Sequence, residues 1–152
     1  MKTAGERFVA TEGVTLSGKR TAVGRNFGKG VHTADEAIFI DGNLVRECSH
    51  SSISILEENT LITHPLDRHI LPGIMRAELI RHARMLGLDV LENAFTLSQA
   101  MASDGVFVTS TTKRCVLADR IDTLPLKTPS ARAKMLWNAV NRSFFASMEK
   151  TV

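Results

Sequence analysis

Residues 36–63 read EAIFIDGNLVRECSHSSISILEENTLIT, and their interpretation decides the fold. The segment 36–41 is rich in β-branched and aromatic side chains and predicts a strand. Asp41, Gly42 and Asn43 form a hairpin-turn signal of the Asp-Gly type, so residues 44–47 predict the returning strand. A second pair of strands, 52–56 and 60–63, is expected around the turn 57–59. The four strands together predict an antiparallel meander. At its joint stands a lone acid, Glu47, followed by Cys48, Ser49, His50, Ser51 and Ser52. Such a cluster is either a solvated turn or a seat for a small charged ligand.

Working outward, residues 1–18 read as an edge segment with two possible short strands. The stretch 18–30 is glycine-rich and basic, and predicts a weak or broken helix because each internal glycine costs about 1 kcal/mol relative to alanine. After the meander, Ile74, Leu79, Ile80, Ala83 and Leu86 or Met85 recur at helical spacing, with Gly87 as the stop. Residues 88–93 predict a strand, and 96–103 a short helix capped by Thr96. Residues 105–112 predict a buried strand ending in hydroxyls, and 114–121 a further strand. Ser130 opens a final amphipathic helix with Met135, Leu136, Ala139, Val140 and Phe144 on one face. The expected class is α+β, an irregular barrel-like arrangement of antiparallel strands with packing helices.

Composition narrows the function classes. The chain has 152 residues, which suits one domain with its own core. Its net charge of +3 is dispersed and does not argue for nucleic acid. One Trp, no Tyr and seven Phe leave no aromatic platform for single strands. No apolar run approaches the roughly 18 residues of a membrane span, and no signal-type stretch opens the chain, so a cytoplasmic protein is expected. Cys48 and Cys115 make neither a disulfide framework nor a zinc site, and are expected to be reduced and structural. His64, His69 and His82 lack metal-ligand spacing. A Cys48–His50 nucleophile lacks an orienting third group.

Three places share one chemistry. The first is Glu47 with its serines. The second is Leu71-Pro72-Gly73-Ile74-Met75, a Pro-Gly turn opening into a helix, whose free N–H groups and positive dipole end suit a phosphate. The third is Thr109-Ser110-Thr111-Thr112, where strand-end hydroxyls can add donors. Two hydroxyl clusters and a helix start point to a small phosphorylated ligand.

The blocks ADEAIFIDGNLVRECSHSSISI (34–55), LITHPLDRHILPGIMR (61–76) and FVTSTT (107–112) resemble, in order and approximate spacing, the fold-type IV pyridoxal-phosphate enzymes. These include the D-amino acid and branched-chain aminotransferases and the aminodeoxychorismate lyases. The resemblance covers roughly residues 34–122. It implies one domain over 1–152, similar to the large C-terminal domain of these enzymes and without their small N-terminal domain. It implies pyridoxal 5'-phosphate as cofactor, an amino acid and a 2-oxo acid as substrates, no nucleic-acid or membrane partner, and a homodimer. By resemblance Glu47 would bond the pyridine nitrogen, Leu71 would pack against the ring, and Gly73, Ile74, Ser110 and Thr111 would hold the phosphate. The family's covalent lysine falls on Thr15 at the usual spacing, so Lys19 is the candidate, at the expense of about one turn of the intervening helix. His50 and Ser52 replace the usual Ser and Asn, and Met75 stands where many members have Thr. An impaired remnant, a cofactor-binding or assembly domain, and a lyase-like enzyme are the alternatives to an aminotransferase.

Overall fold

The computed structural model describes residues 6–8, 11–16, 19–23, 38–68, 70–121 and 124–150, the first three segments as backbone. The chain runs β1 (Glu6–Phe8), β2 (Thr11–Leu16), β3 (Lys19–Val23), β4 (Ile38–Asp41), β5 (Leu44–Cys48), β6 (Ser52–Glu57) and β7 (Thr60–Thr63). It continues with α1 (Ile74–Met85), β8 (Asp89–Glu92), β9 (Phe95–Thr96) and α2 (Leu97–Ala102). The last elements are β10 (Gly105–Ser110), β11 (Arg114–Ile121), β12 (Leu124–Pro125) and α3 (Ala131–Glu149).

The α+β class holds, but the barrel-like arrangement resolves into two sheets rather than a closed ring among the described residues. One sheet has the order β1-β4-β5-β9, the other β3-β2-β11-β10-β6-β7-β8 with β12 on β11. The expected single meander therefore divides at the serines: β5 pairs with β4 and β9, while β6 pairs with β10 and β7. The short turn at Gly42, with φ +65°, closes β4 onto β5, a conformation that glycine adopts without steric cost. Residues 19–23, expected within a broken helix, form β3 instead and pair antiparallel with β2. Thr21 and Val23 favour a strand once a neighbour is present to pair with.

The central strands β6, β7 and β10 of the large sheet are buried on both faces. Along β10, Val106 and Val108 join Ile53, Ile55 and Ile62 in a core closed by Ile38, Ile40, Val45 and Phe95 of the small sheet. The alternate residues Leu56, Leu61 and Phe107 face the helices and pack with Met75, Leu79, Ala83, Leu136 and Val140. The period of two along the strands thus sorts residues between two cores. Gly105 sits where β10 meets α3, since a Cβ there would stand 2.7 Å from that of Ala133.

The helices follow their expected boundaries, with revised faces. In α1, Leu79, Ile80 and Ala83 are buried as expected, whereas Ile74 and Met85 are 73 % and 68 % exposed. The true inward stripe runs through Met75, Arg76, Leu79, Ile80, His82 and Ala83. Gly87, at φ +76°, ends the helix. Helix α2 carries the Thr96 cap in a full capping box with Gln99. In α3, Ser130 caps Ala133, and Leu136 and Val140 are buried, while Met135 points outward.

Both cysteines are free and buried. Burial pushes the Cys115 thiol up to about 12, so it stays un-ionised at neutral pH. Iodoacetamide at pH 8 is therefore expected to spare Cys115 in the native protein and to alkylate it after unfolding in guanidinium. Stoichiometric native labelling at Cys115, read by peptide mass, would contradict the buried placement.

Candidate functional site

Glu47 reaches the site through a break in strand register. Ile40 pairs with Val45 and Ile38 with Cys48, so one residue of β4, Phe39, opposes two of β5, Arg46 and Glu47. The extra residue falls at Arg46–Glu47, a β-bulge that suspends the alternation and turns neighbouring side chains toward one region. Both residues then meet the segment 64–71. The Glu47 carboxylate accepts the Leu71 N–H at 3.3 Å. Arg46 donates to the Nε2 atom of His64 at 2.9 Å and pairs with Asp41 at 2.6 Å and Asp67 at 3.8 Å.

Partial burial is the largest influence on Glu47 and pushes its carboxyl above the usual range; the Leu71 N–H and the nearby His64 oppose this, and Asp67 adds to it. An acid in this position gains from a cationic partner.

The second element is the start of α1. Gly73 is its N-cap, in extended conformation, with no side-chain cap and no acid in the first turn. By contrast, Thr96 and Ser130 cap α2 and α3. The first N–H groups of α1 thus lack an intrahelical partner and have no cap to satisfy them. Gly73 also lies close to the sheet: a Cβ on it would stand 3.2 Å from the Ser52 Oγ. A larger residue would crowd the gap between the helix start and β6.

The third element is the end of β10. Ser52 pairs with Thr109, and Ser54 with Thr63, both across antiparallel ladders. Directly opposed residues share a face, so the hydroxyls of Ser52, Ser54, Thr63 and Thr109 line the helix-covered side of the sheet. All four are buried. The Ser54 hydroxyl donates to Thr63 at 3.0 Å, whereas the Thr109 Oγ1 has no hydrogen-bond partner among the described residues. A buried hydroxyl without a partner costs about 1–3 kcal/mol, which a bound ligand or water offsets. Ser110 accepts the Lys113 N–H at 3.0 Å within its own turn, and Thr111 is exposed.

Two contacts and one ladder pair connect these places: Glu47 meets Leu71, Gly73 lies against Ser52, and Ser52 pairs with Thr109, which Ser110 and Thr111 follow in the chain. Leu71, whose N–H meets the acid, and Ile74 expose apolar side chains, 75 % and 73 %. Lys19 opens β3, with its backbone paired to Leu16; its side chain lies outside the described residues. Thr15 pairs with Arg120 of β11. Met75 turns into the core, so no hydroxyl is available there. His50 is exposed and within 3.1 Å of the Ser49 Oγ. Ser52 belongs to the serine cluster read beside Glu47, whereas Arg46, His64 and Arg76 stand in the blocks 34–55 and 61–76 without any local pattern that marks them as site residues.

A family model described as amino-transferase class IV matches residues 30–121. D-alanine aminotransferase of Bacillus licheniformis is 33 % identical over 122 residues, 79 % of this chain and 43 % of that enzyme. D-alanine aminotransferase of Listeria monocytogenes serotype 4b is 41 % identical over 87 residues, 57 % of this chain and 30 % of that enzyme. Among solved structures, the branched-chain aminotransferase of Thermoproteus uzoniensis with norvaline superposes with a TM-score of 0.65 at 30 % identity, over 71 % of this chain and 36 % of that one. The chain spans less than half the length of these relatives.

Proposed function

We propose, since this chain belongs to the class IV amino-transferase family, that it binds pyridoxal 5'-phosphate and moves an amino group between an amino acid and a 2-oxo acid of the D-amino acid or branched-chain type. One observation carries the reading: the acid of β5 and the uncapped start of α1 meet at Leu71, 3.3 Å from the Glu47 carboxylate.

The residues present fit the cofactor. The open amides of α1, the close approach at Gly73 and the unpartnered Thr109 hydroxyl suit a phosphate. Gly73 and Ile74 hold it through backbone N–H groups, with Ser110 and Thr111 adding hydroxyls. Leu71 supplies an apolar wall for the ring. When bound, the cofactor draws electrons from the α-carbon of an amino acid. Glu47 supports that chemistry by holding a proton at the ring nitrogen, whose positive charge in turn favours the ionised carboxylate. Lys19 would be the residue that anchors the cofactor and would carry the proton at the α-carbon.

The domain corresponds to the family's large domain, and we assign it to a cytoplasmic homodimer. The exposed Leu71 and Ile74 beside the seat support a covering chain there. No helix among the described residues is long and apolar enough to cross a membrane.

The test is to add pyridoxal phosphate, follow the yellow colour of the complex, reduce with borohydride and map the modified peptide. Label on Lys19 is the expected result. Label on another lysine removes Lys19 from its role, and a chain that takes up no cofactor removes the reading altogether.

A further inference from the structure

We propose that Arg46 and His64 are positioning residues that set the spacing between Glu47 and the start of α1. The inference rests on the reading above, in which these two places hold opposite ends of one ligand.

The acid and the helix start belong to different units, β5 of the small sheet and the helix covering the large one. Their direct link is the Leu71 N–H bond to Glu47, which at 3.3 Å is longer than the usual 2.9–3.0 Å and too weak to hold a loop by itself. Shorter contacts converge instead on His64, where the loop leaves β7. From one side, Arg46 donates to its Nε2 atom at 2.9 Å. From the other, Arg76 of the first turn of α1 donates to its carbonyl at 2.9 Å.

The partners determine the ring's tautomer. Arginine can only donate and a carbonyl can only accept, so Nε2 is the acceptor and Nδ1 donates to the Pro65 oxygen at 2.8 Å. His64 is thereby oriented by both ring nitrogens and is itself buried.

The arginines are held in turn. Arg46 is braced by Asp41 and Asp67, and Arg76 by Glu92 at 3.1 Å. A continuous chain therefore runs from the strand of the acid, through Arg46, His64 and Arg76, into the helix that opens at Gly73. Charge-assisted contacts of this kind are stronger than neutral ones. The bulge that aims Glu47 also aims Arg46, so one backbone feature places both the acid and its brace.

The test compares the parent chain with Arg46→Met and Arg46→Lys by two titrations. Pyridoxal phosphate, followed by absorbance, needs both ends of the seat; inorganic phosphate, followed by ³¹P NMR, needs only the helix end. R46M is expected to bind pyridoxal phosphate roughly tenfold more weakly, as for loss of one charged hydrogen bond, with phosphate affinity unchanged. R46K is expected to fall between parent and R46M, because a single ammonium cannot reproduce the planar fork. If R46M does not fold, R46K and R46Q carry the same comparison. Equal loss of both ligands shows local collapse and overturns the inference, as does parent-like pyridoxal phosphate affinity in R46M. A parent chain that binds no pyridoxal phosphate overturns the function proposed above, and this inference with it.

Discussion

Replacing Glu47 with glutamine is expected to abolish most transamination while leaving the fold intact. Glutamine keeps an oxygen that can accept the Leu71 N–H, so the contact between β5 and the α1 loop survives. It removes the negative charge that would hold a proton on the ring nitrogen. Loss of one preorganised electrostatic partner costs on the order of 10²–10³-fold in turnover. Steady-state assay with a D-amino acid and 2-oxoglutarate, and with a branched-chain amino acid, measures the loss. Turnover within tenfold of the parent would remove Glu47 from the mechanism.

Stability is expected to move the other way. The Glu47 carboxyl is raised in the fold, chiefly by burial, so the folded state holds its proton to higher pH than the unfolded chain does. Between the ordinary carboxylate value of 4.5 and the raised one, the folded state binds more protons, and stability falls as pH rises. Above that window the ionised acid is a standing cost to the cofactor-free protein. The E47Q variant is therefore expected to melt higher than the parent at pH 7, with the difference narrowing below pH 4.5. A lower midpoint at pH 7 would contradict this account.

The second large effect concerns Phe107. Its side chain is fully buried on β10, facing the helices with Leu56, Leu61 and Leu79. Truncation to alanine removes an aromatic ring and leaves a cavity between the central strand and α1 and α3. Such changes cost about 3–5 kcal/mol, a large share of the roughly 5–15 kcal/mol that holds a domain folded. For a domain of this size the melting midpoint is expected to fall by roughly 10 °C or more. Circular dichroism at 222 nm follows the loss. The damage also reaches the site, because Thr109 lies two residues along the same face and α1 opens beside Ser52. Cofactor affinity in F107A is therefore expected to weaken, although the ring is not part of the seat. A midpoint within about 3 °C of the parent would mean that the core collapses around the gap.

Much of this architecture was legible because local chemistry dictates it. The Asp41-Gly42-Asn43 turn, the capped start of α2 and the stop at Gly87 depend on residues a few positions apart. The short apolar run at 105–108, ending in hydroxyls, gave a buried strand for the same reason. Three dispersed blocks pointed to the family because several residues in each match its pattern in order and approximate spacing. Other features escaped. Helical periodicity marks a stripe without its edges, so Ile74 and one of Met85 and Leu86 were expected inside, and all three stand outside. Residues 19–23 are a strand because β2 lies next to them, and glycines nearby suggested otherwise.

By itself, then, the chain's order of residues determined most of its elements from residue 36 onward, its turns and the identity of the groups that could hold a charged ring and a phosphate. Only the tertiary structure decided that β5 and β6 part into different sheets, that a bulge swings Arg46 and Glu47 together, and that His64 ties the acid's strand to the helix. Those outcomes depend on pairing between segments far apart along the chain, where the energy of a contact exists only once both partners are in place.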